Sequence, residues 1–101
     1  MSCLVILTRN LMDASRVQSV LPGAIVARSP GDDALIEADL ILLDLSSGID
    51  PADVAAIGPP VVAYGPHVDR EALDAAVAAG CREALPRSLV FRRLGGLIDK
   101  P

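Results

Sequence analysis

Tryptophan is absent from this chain, and tyrosine, phenylalanine and histidine each occur once, as Tyr64, Phe91 and His67. With so few π-faces there is no platform on which bases or sugar rings could stack in succession. Basic residues are also scarce: nine Lys and Arg against thirteen Asp and Glu leave a formal net charge of −4. Such a surface has no cationic surplus to neutralise a phosphate backbone, so nucleic acid is not expected as a partner. The two cysteines, Cys3 and Cys81, stand far apart and form neither a C-x-x-C pair nor a Cys/His metal spacing. No disulfide framework, metal or cofactor is expected. Apolar runs stay at a handful of residues, well below the roughly 20 needed to cross a bilayer. The run that begins at Cys3 lacks the basic flank and cleavage site of a signal peptide. The expectation is a soluble, cytoplasmic chain with no membrane contact.

What the chain does have is aliphatic mass: 51% of its 101 residues are hydrophobic and 22% charged, which is the composition of a folded domain. That length suits one domain spanning residues 1–101. Short aliphatic runs at Cys3 to Leu7, Ala24 to Ala27, Leu40 to Leu45 and Val61 to Tyr64 read as buried strands, and position in the pattern adds a fifth at Glu83 to Leu85. Between them lie helical spacings. Leu73, Ala76, Val77 and Gly80 share one helix face, and Val90, Leu94, Leu97 and Ile98 share another.

Helix starts are marked by a capping side chain with a carboxylate three residues later, in Asn10-Leu-Met-Asp13, Ser29-Pro-Gly-Asp32 and Asp50-Pro-Ala-Asp53. Pro30 and Pro51 then fall at the first helical position, where a missing N–H is harmless. Helix ends are marked by Pro22-Gly23, Gly58-Pro59-Pro60 and Gly80. Gly95-Gly96 weakens the last helix by about 1 kcal/mol each relative to alanine. Strict alternation of strand and helix predicts an α/β/α three-layer, doubly wound parallel sheet of five strands in the order 2-1-3-4-5.

In such a sheet a ligand crevice opens beyond the carboxyl ends of the strands, where the strand order reverses. The candidates there are Thr8, Arg9 and Asn10 after the first strand, and Asp44, Ser46 and Ser47 after the third. Gly65 and His67 follow the fourth, and Arg87 and Ser88 the fifth.

The segments Asp39-Leu-Ile-Leu-Leu-Asp44-Leu45, Pro60-Val-Val-Ala-Tyr-Gly65 and Ala79-Gly80-Cys-Arg-Glu-Ala-Leu85-Pro-Arg87-Ser88 resemble the third strand, fourth strand and fifth-strand loop of bacterial response-regulator receiver domains. The resemblance implies a flavodoxin-like fold with Asp44 at the phosphoacceptor position. It also implies an acidic pair that holds magnesium after the first strand, a Ser/Thr ending the fourth and a lysine ending the fifth. This sequence has Thr8 and Arg9, Gly65, and Arg87 at those three places. Without paired carboxylates a hard cation has no seat, so the expectation is a pseudo-receiver with no enzymatic activity.

The remaining residues have local readings. Asp44 is expected to pair with Arg9 or Arg87, putting a guanidinium where the metal would lie. Asp13, Asp32 and Asp53 read as helix caps, Ser46 and Ser47 as turn formers, and His67 as a solvated or capping loop residue. Tyr64 is expected to carry its hydroxyl at the rim, Cys3 to be a small buried hydrophobe, and Cys81 to lie at the opposite end of the sheet.

Arg70, Glu71 and Asp74 on the fourth helix and Arg92 and Arg93 on the last offer opposite charges for a protein partner or a homodimer. The resemblance implies the same surface. Three functions follow. The first is a regulatory interaction module, and the second a binder of small anions in the crevice, at the amino end of the first helix. The third is a phosphoacceptor at Asp44.

Overall fold

Every residue of β1 (Leu4–Leu7), β3 (Leu40–Asp44) and β4 (Val61–Gly65) is buried, as an uninterrupted aliphatic run requires when both faces of a parallel sheet are covered. The computed structural model describes residues 3–97. In it these strands pair in parallel with β2 (Ile25–Ala27) and β5 (Glu83–Pro86) in the order β2-β1-β3-β4-β5, as expected for a doubly wound sheet.

Register sorts the side chains by face. Val5, Leu7, Ile41, Leu43, Val61 and Ala63 form one core with Leu35, Val54 and Ala76. Their sequence neighbours Leu4, Ile6, Leu40, Leu42, Val62 and Tyr64 form the other, with Val17, Val90, Phe91, Leu94 and Leu97. The first face is therefore covered by α2 (Pro51–Ala55) and α3 (Arg70–Ala78), and the second by α1 (Leu11–Val20), α4 (Arg87–Arg92) and α5 (Leu94–Leu97).

Capping fixes the helix starts. Asn10 accepts from the N–H groups of Met12 and Asp13, Asp50 from that of Ala52, and Asp69 from that of Ala72. Gly80, just past α3, has φ +117°, and a Cβ there would stand 3.0 Å from the Cβ of Ala55, so only glycine fits that turn without strain.

Three local expectations need correction. The second helix does not form: Ser29 accepts from the N–H of Gly31 as a turn, Asp32 is the cap, and only a 3₁₀ turn at Asp33–Leu35 follows. Its Leu35 is fully buried and pins that turn to the sheet. The last helix is interrupted at Arg93, just before the two glycines. Val90, Leu94 and Leu97 are buried as the stripe predicts, while Ile98 lies outside the described residues. On α3 the stripe narrows to Leu73 and Ala76, with Val77 exposed. Among the described residues no helix is long and apolar enough to cross a membrane.

Candidate functional site

Strand parity brings the polar residues at the carboxyl end of the sheet together. Thr8 continues the alternation of Leu4 and Ile6, and Asp44 that of Leu40 and Leu42, so both point to the face covered by α1 and α4. Tyr64, the register partner of Asp44, does the same. Thr8 and Asp44 are 1% and 2% exposed, so each polar atom needs a protein partner.

Asp44 finds three neutral donors. The Thr8 hydroxyl donates to Oδ2 at 2.6 Å, the Ser47 hydroxyl to the same oxygen at 3.1 Å, and the Ser46 N–H to Oδ1 at 2.9 Å. Around this core the chain closes on itself: Thr8 Oγ1 accepts from the Asn10 N–H at 3.0 Å, and Ser47 Oγ from the Arg9 N–H at 3.0 Å. Asp44 thus ties the segment after β1 to the 3₁₀ turn Leu45–Ser47 after β3. Above it opens a crevice of about 350 Å³ lined by Arg9, Asn10, Asp44, Ser46 and Ser47.

The expected guanidinium does not reach Asp44. Arg9 spreads over the rim instead, with Nε toward the Arg28 carbonyl at 3.4 Å and Nη1 toward that of Ser47 at 3.5 Å. Arg87 turns away to the other buried carboxylate, Asp13 on α1, which it meets through both terminal nitrogens. Asp13 is more than the helix-start residue expected, being 1% exposed and also accepting from the Tyr64 hydroxyl at 2.9 Å. Tyr64 is accordingly buried, not placed at the rim. Burial foremost, and then the negative charge of Asp44, push its phenol well above its ordinary range.

Aromatic contacts join the same knot. Phe91 meets Tyr64 edge-on with centroids 5.6 Å apart, and the guanidinium groups of Arg16 and Arg87 lie 4.5 and 5.1 Å from the Phe91 centroid.

The other sequence candidates fall outside the crevice lining. Gly65 ends β4 with no side chain to offer Asp44, His67 is exposed in the loop before α3, and Ser88 is exposed on α4. Cys3 is half-buried, and Cys81 is buried beyond the end of α3, with a thiol pushed up by burial. One signal for Asp13 was present in the sequence. It stands four residues before Val17 on the buried stripe of α1, and a carboxylate on a buried stripe demands a partner.

The donor set does not suit magnesium. No group of three or more Asp, Glu, His or Cys side chains gathers among the described residues. The oxygens of Asp44 are engaged by neutral donors, and those of Asp13 by Arg87 and Tyr64.

No family model and no curated protein matches this sequence. Solved structures do. A CheY-like protein, TadZ of Pseudomonas aeruginosa PAO1, aligns with 100% of this chain and 98% of its own at 22% identity and a TM-score of 0.65. A putative pilus assembly-related protein of Burkholderia pseudomallei K96243 aligns over 94% of this chain and 84% of its own at 15% identity and a TM-score of 0.67. The fold is that of a receiver domain. At such identities the likeness concerns the backbone alone, and within this receiver-like frame the crevice chemistry has to be read from its own side chains. Those side chains seal Asp44 with hydroxyls and anchor α4 to α1 through Asp13 and Arg87.

Proposed function

We propose that this chain is a pseudo-receiver: a non-enzymatic regulatory module that works by binding protein and has lost phosphoryl transfer. The observation that carries this reading is the state of Asp44. A carboxylate must present a free oxygen lone pair to attack phosphorus, and a metal must neutralise the charge that develops. Here Thr8, Ser46 and Ser47 take three of the four lone pairs of Asp44, the residue is only 2% exposed, and among the described residues no second carboxylate stands beside it to hold a cation.

A partner surface is available on the outer helices. Arg70, Glu71 and Asp74 are exposed on α3, Arg92 is exposed at the end of α4, and Arg93 is half-buried beside it. These opposite charges suit recognition of a protein partner or a second copy more than they stabilise the fold. The name of one of the two similar structures, a putative pilus assembly-related protein, supports a role as a component of a pilus-type assembly.

The test has two parts. Incubation with a small phosphodonor and magnesium, followed by intact mass with an Asp44→Asn control, is expected to give no mass gain. An Asp44-dependent gain overturns the reading. Charge reversal at Arg92 and Arg93 is expected to weaken protein association, and indifference to it removes that surface.

One observation favours a second reading. The crevice of about 350 Å³ carries the exposed guanidinium of Arg9, so a small phosphorylated or carboxylated ligand could lodge there despite the charge of Asp44. Calorimetry with phosphate, nucleotides and flavin decides it, and absence of heat with all three ends it.

A further inference from the structure

We propose that the outer edge of β2 joins a second copy of this chain, the two β2 strands pairing antiparallel about a two-fold axis at Val26. This rests on the reading of the chain as an interaction module and names one partner and one place.

The backbone supplies the first argument. β2 is an edge strand, and Ala27 turns its carbonyl toward β1, where it accepts from the Thr8 N–H at 3.0 Å. Alternation along the strand then turns both the N–H and the C=O of Val26 outward, while just before the strand the Ala24 N–H is already taken by the Leu21 carbonyl at 2.9 Å. Side chains of this chain already reach the flanking carbonyls: Gln18 donates to that of Ala24 at 3.1 Å, and Arg9 to that of Arg28 at 3.4 Å. Val26 between them has no such cover among the described residues. In an antiparallel pair, residues directly opposite can exchange both of their hydrogen bonds. A two-fold axis at Val26 therefore satisfies both outward groups of each copy.

Side chains supply the second. The run Ile25-Val26-Ala27 contains no charge, proline or bulge of the kind that protects open edges. Ile25 lies on the face of Val5, its register partner, which is the face where a full second helix is replaced by one 3₁₀ turn. As a result Ile25 is 42% exposed, and Ile36, just after that turn, is 65% exposed. In the antiparallel arrangement Ile25 comes opposite the partner's Ala27.

Charge supplies the third. Arg28 follows the carboxyl end of β2, whereas Glu37 precedes β3, whose first residue Leu40 pairs with Leu4 at the amino end of the sheet. Antiparallel pairing brings each Arg28 to the end of the partner where its Glu37 lies. Both residues are exposed, and the ion pair of the described residues is the one between Arg87 and Asp13. The contact is self-complementary and closes at two copies, making one sheet of ten strands.

Sedimentation equilibrium on the full chain, from micromolar to millimolar concentration, tests this. The expected result is a monomer–dimer equilibrium weakened at least tenfold by Val26→Pro. That change deletes the outward N–H and leaves the β1 ladder in place, with the thermal transition as a check on folding. Arg28→Glu is expected to weaken the dimer several-fold, and Arg28→Glu with Glu37→Arg to restore it. A monomer throughout overturns the proposal. So does a dimer indifferent to both Val26→Pro and the charge swap; if that dimer responds to Arg92 and Arg93, the interaction-module reading survives without the β2 edge.

Discussion

Asp13 and Asp44 are both buried at the carboxyl end of one sheet, on the same face, yet they are kept there by different chemistry. Asp44 is solvated by two hydroxyls and a backbone N–H, all neutral. Asp13 is held by a guanidinium and a phenol. Neutral donors replace water around a charge one bond at a time, each contributing modestly, whereas a bidentate arginine supplies opposite charge and fixed geometry together. The first cluster joins two loops, those after β1 and β3. The second joins two helices, α1 and α4, across the sheet end. Only the first borders the crevice; the second lies outside its lining.

The strongest way to break this comparison is to remove Asp13. Asp13→Ala leaves the Tyr64 hydroxyl and Arg87 without their acceptor, and is expected to lower unfolding stability in urea by about 3 kcal/mol, the low end for a broken buried pair because Arg87 can turn to water. Adding Arg87→Met and Tyr64→Phe to Asp13→Ala should recover more than half of that loss, since a packed apolar group replaces an orphaned polar one. Failure to recover would mean that Asp13 matters for more than the charge it balances.

On the other side of the comparison, Thr8→Val keeps the shape of the side chain and deletes one hydroxyl. The expected loss is about 2 kcal/mol, because the bond to a buried charged group goes together with the weaker one accepted from the part-buried Asn10 N–H. A loss as large as that of Asp13→Ala would erase the distinction between the two sites.

Alkaline pH sharpens it further. The Tyr64 phenol is raised above its ordinary value of 10.0, so the native chain keeps a proton that the unfolded chain releases. This contribution to stability is fully present below pH 10.0 and is lost as pH rises through the higher native value. Stability measured by denaturation should fall on the alkaline side, with the fall attributable to this residue absent from Tyr64→Phe. The smallest effect is expected at Arg9, whose long contacts to two carbonyls lie on the exposed rim. Arg9→Ala should change stability by under about 0.5 kcal/mol.

Much of the architecture was legible along the chain. The strand runs from Leu40 and from Val61 needed no tertiary information, because a stretch buried on both faces has to be apolar throughout. The caps at Asn10 and Asp50 were equally local. The segment after Ser29 was misread because a serine followed by proline opens a turn as well as it opens a helix, and the choice fell to the burial of Leu35. Asp13 was misread for a similar reason. Three residues after an N-cap, a carboxylate satisfies the capping pattern, and that local reading masks the one sequence signal that it faces inward, its place four residues before Val17.

Composition, spacing and caps were enough to set the order of elements and the parallel sheet, because those depend on interactions between near neighbours and on the alternation of apolar faces. Which arginine meets which carboxylate was decided by the assembled structure. Asp13 and Arg87 are 74 positions apart, and Thr8 and Asp44 are 36, so their meeting depends on strand register and helix phase that no local stretch encodes. The charges were written in the chain, but their partners were chosen by where folding placed the ends of five strands.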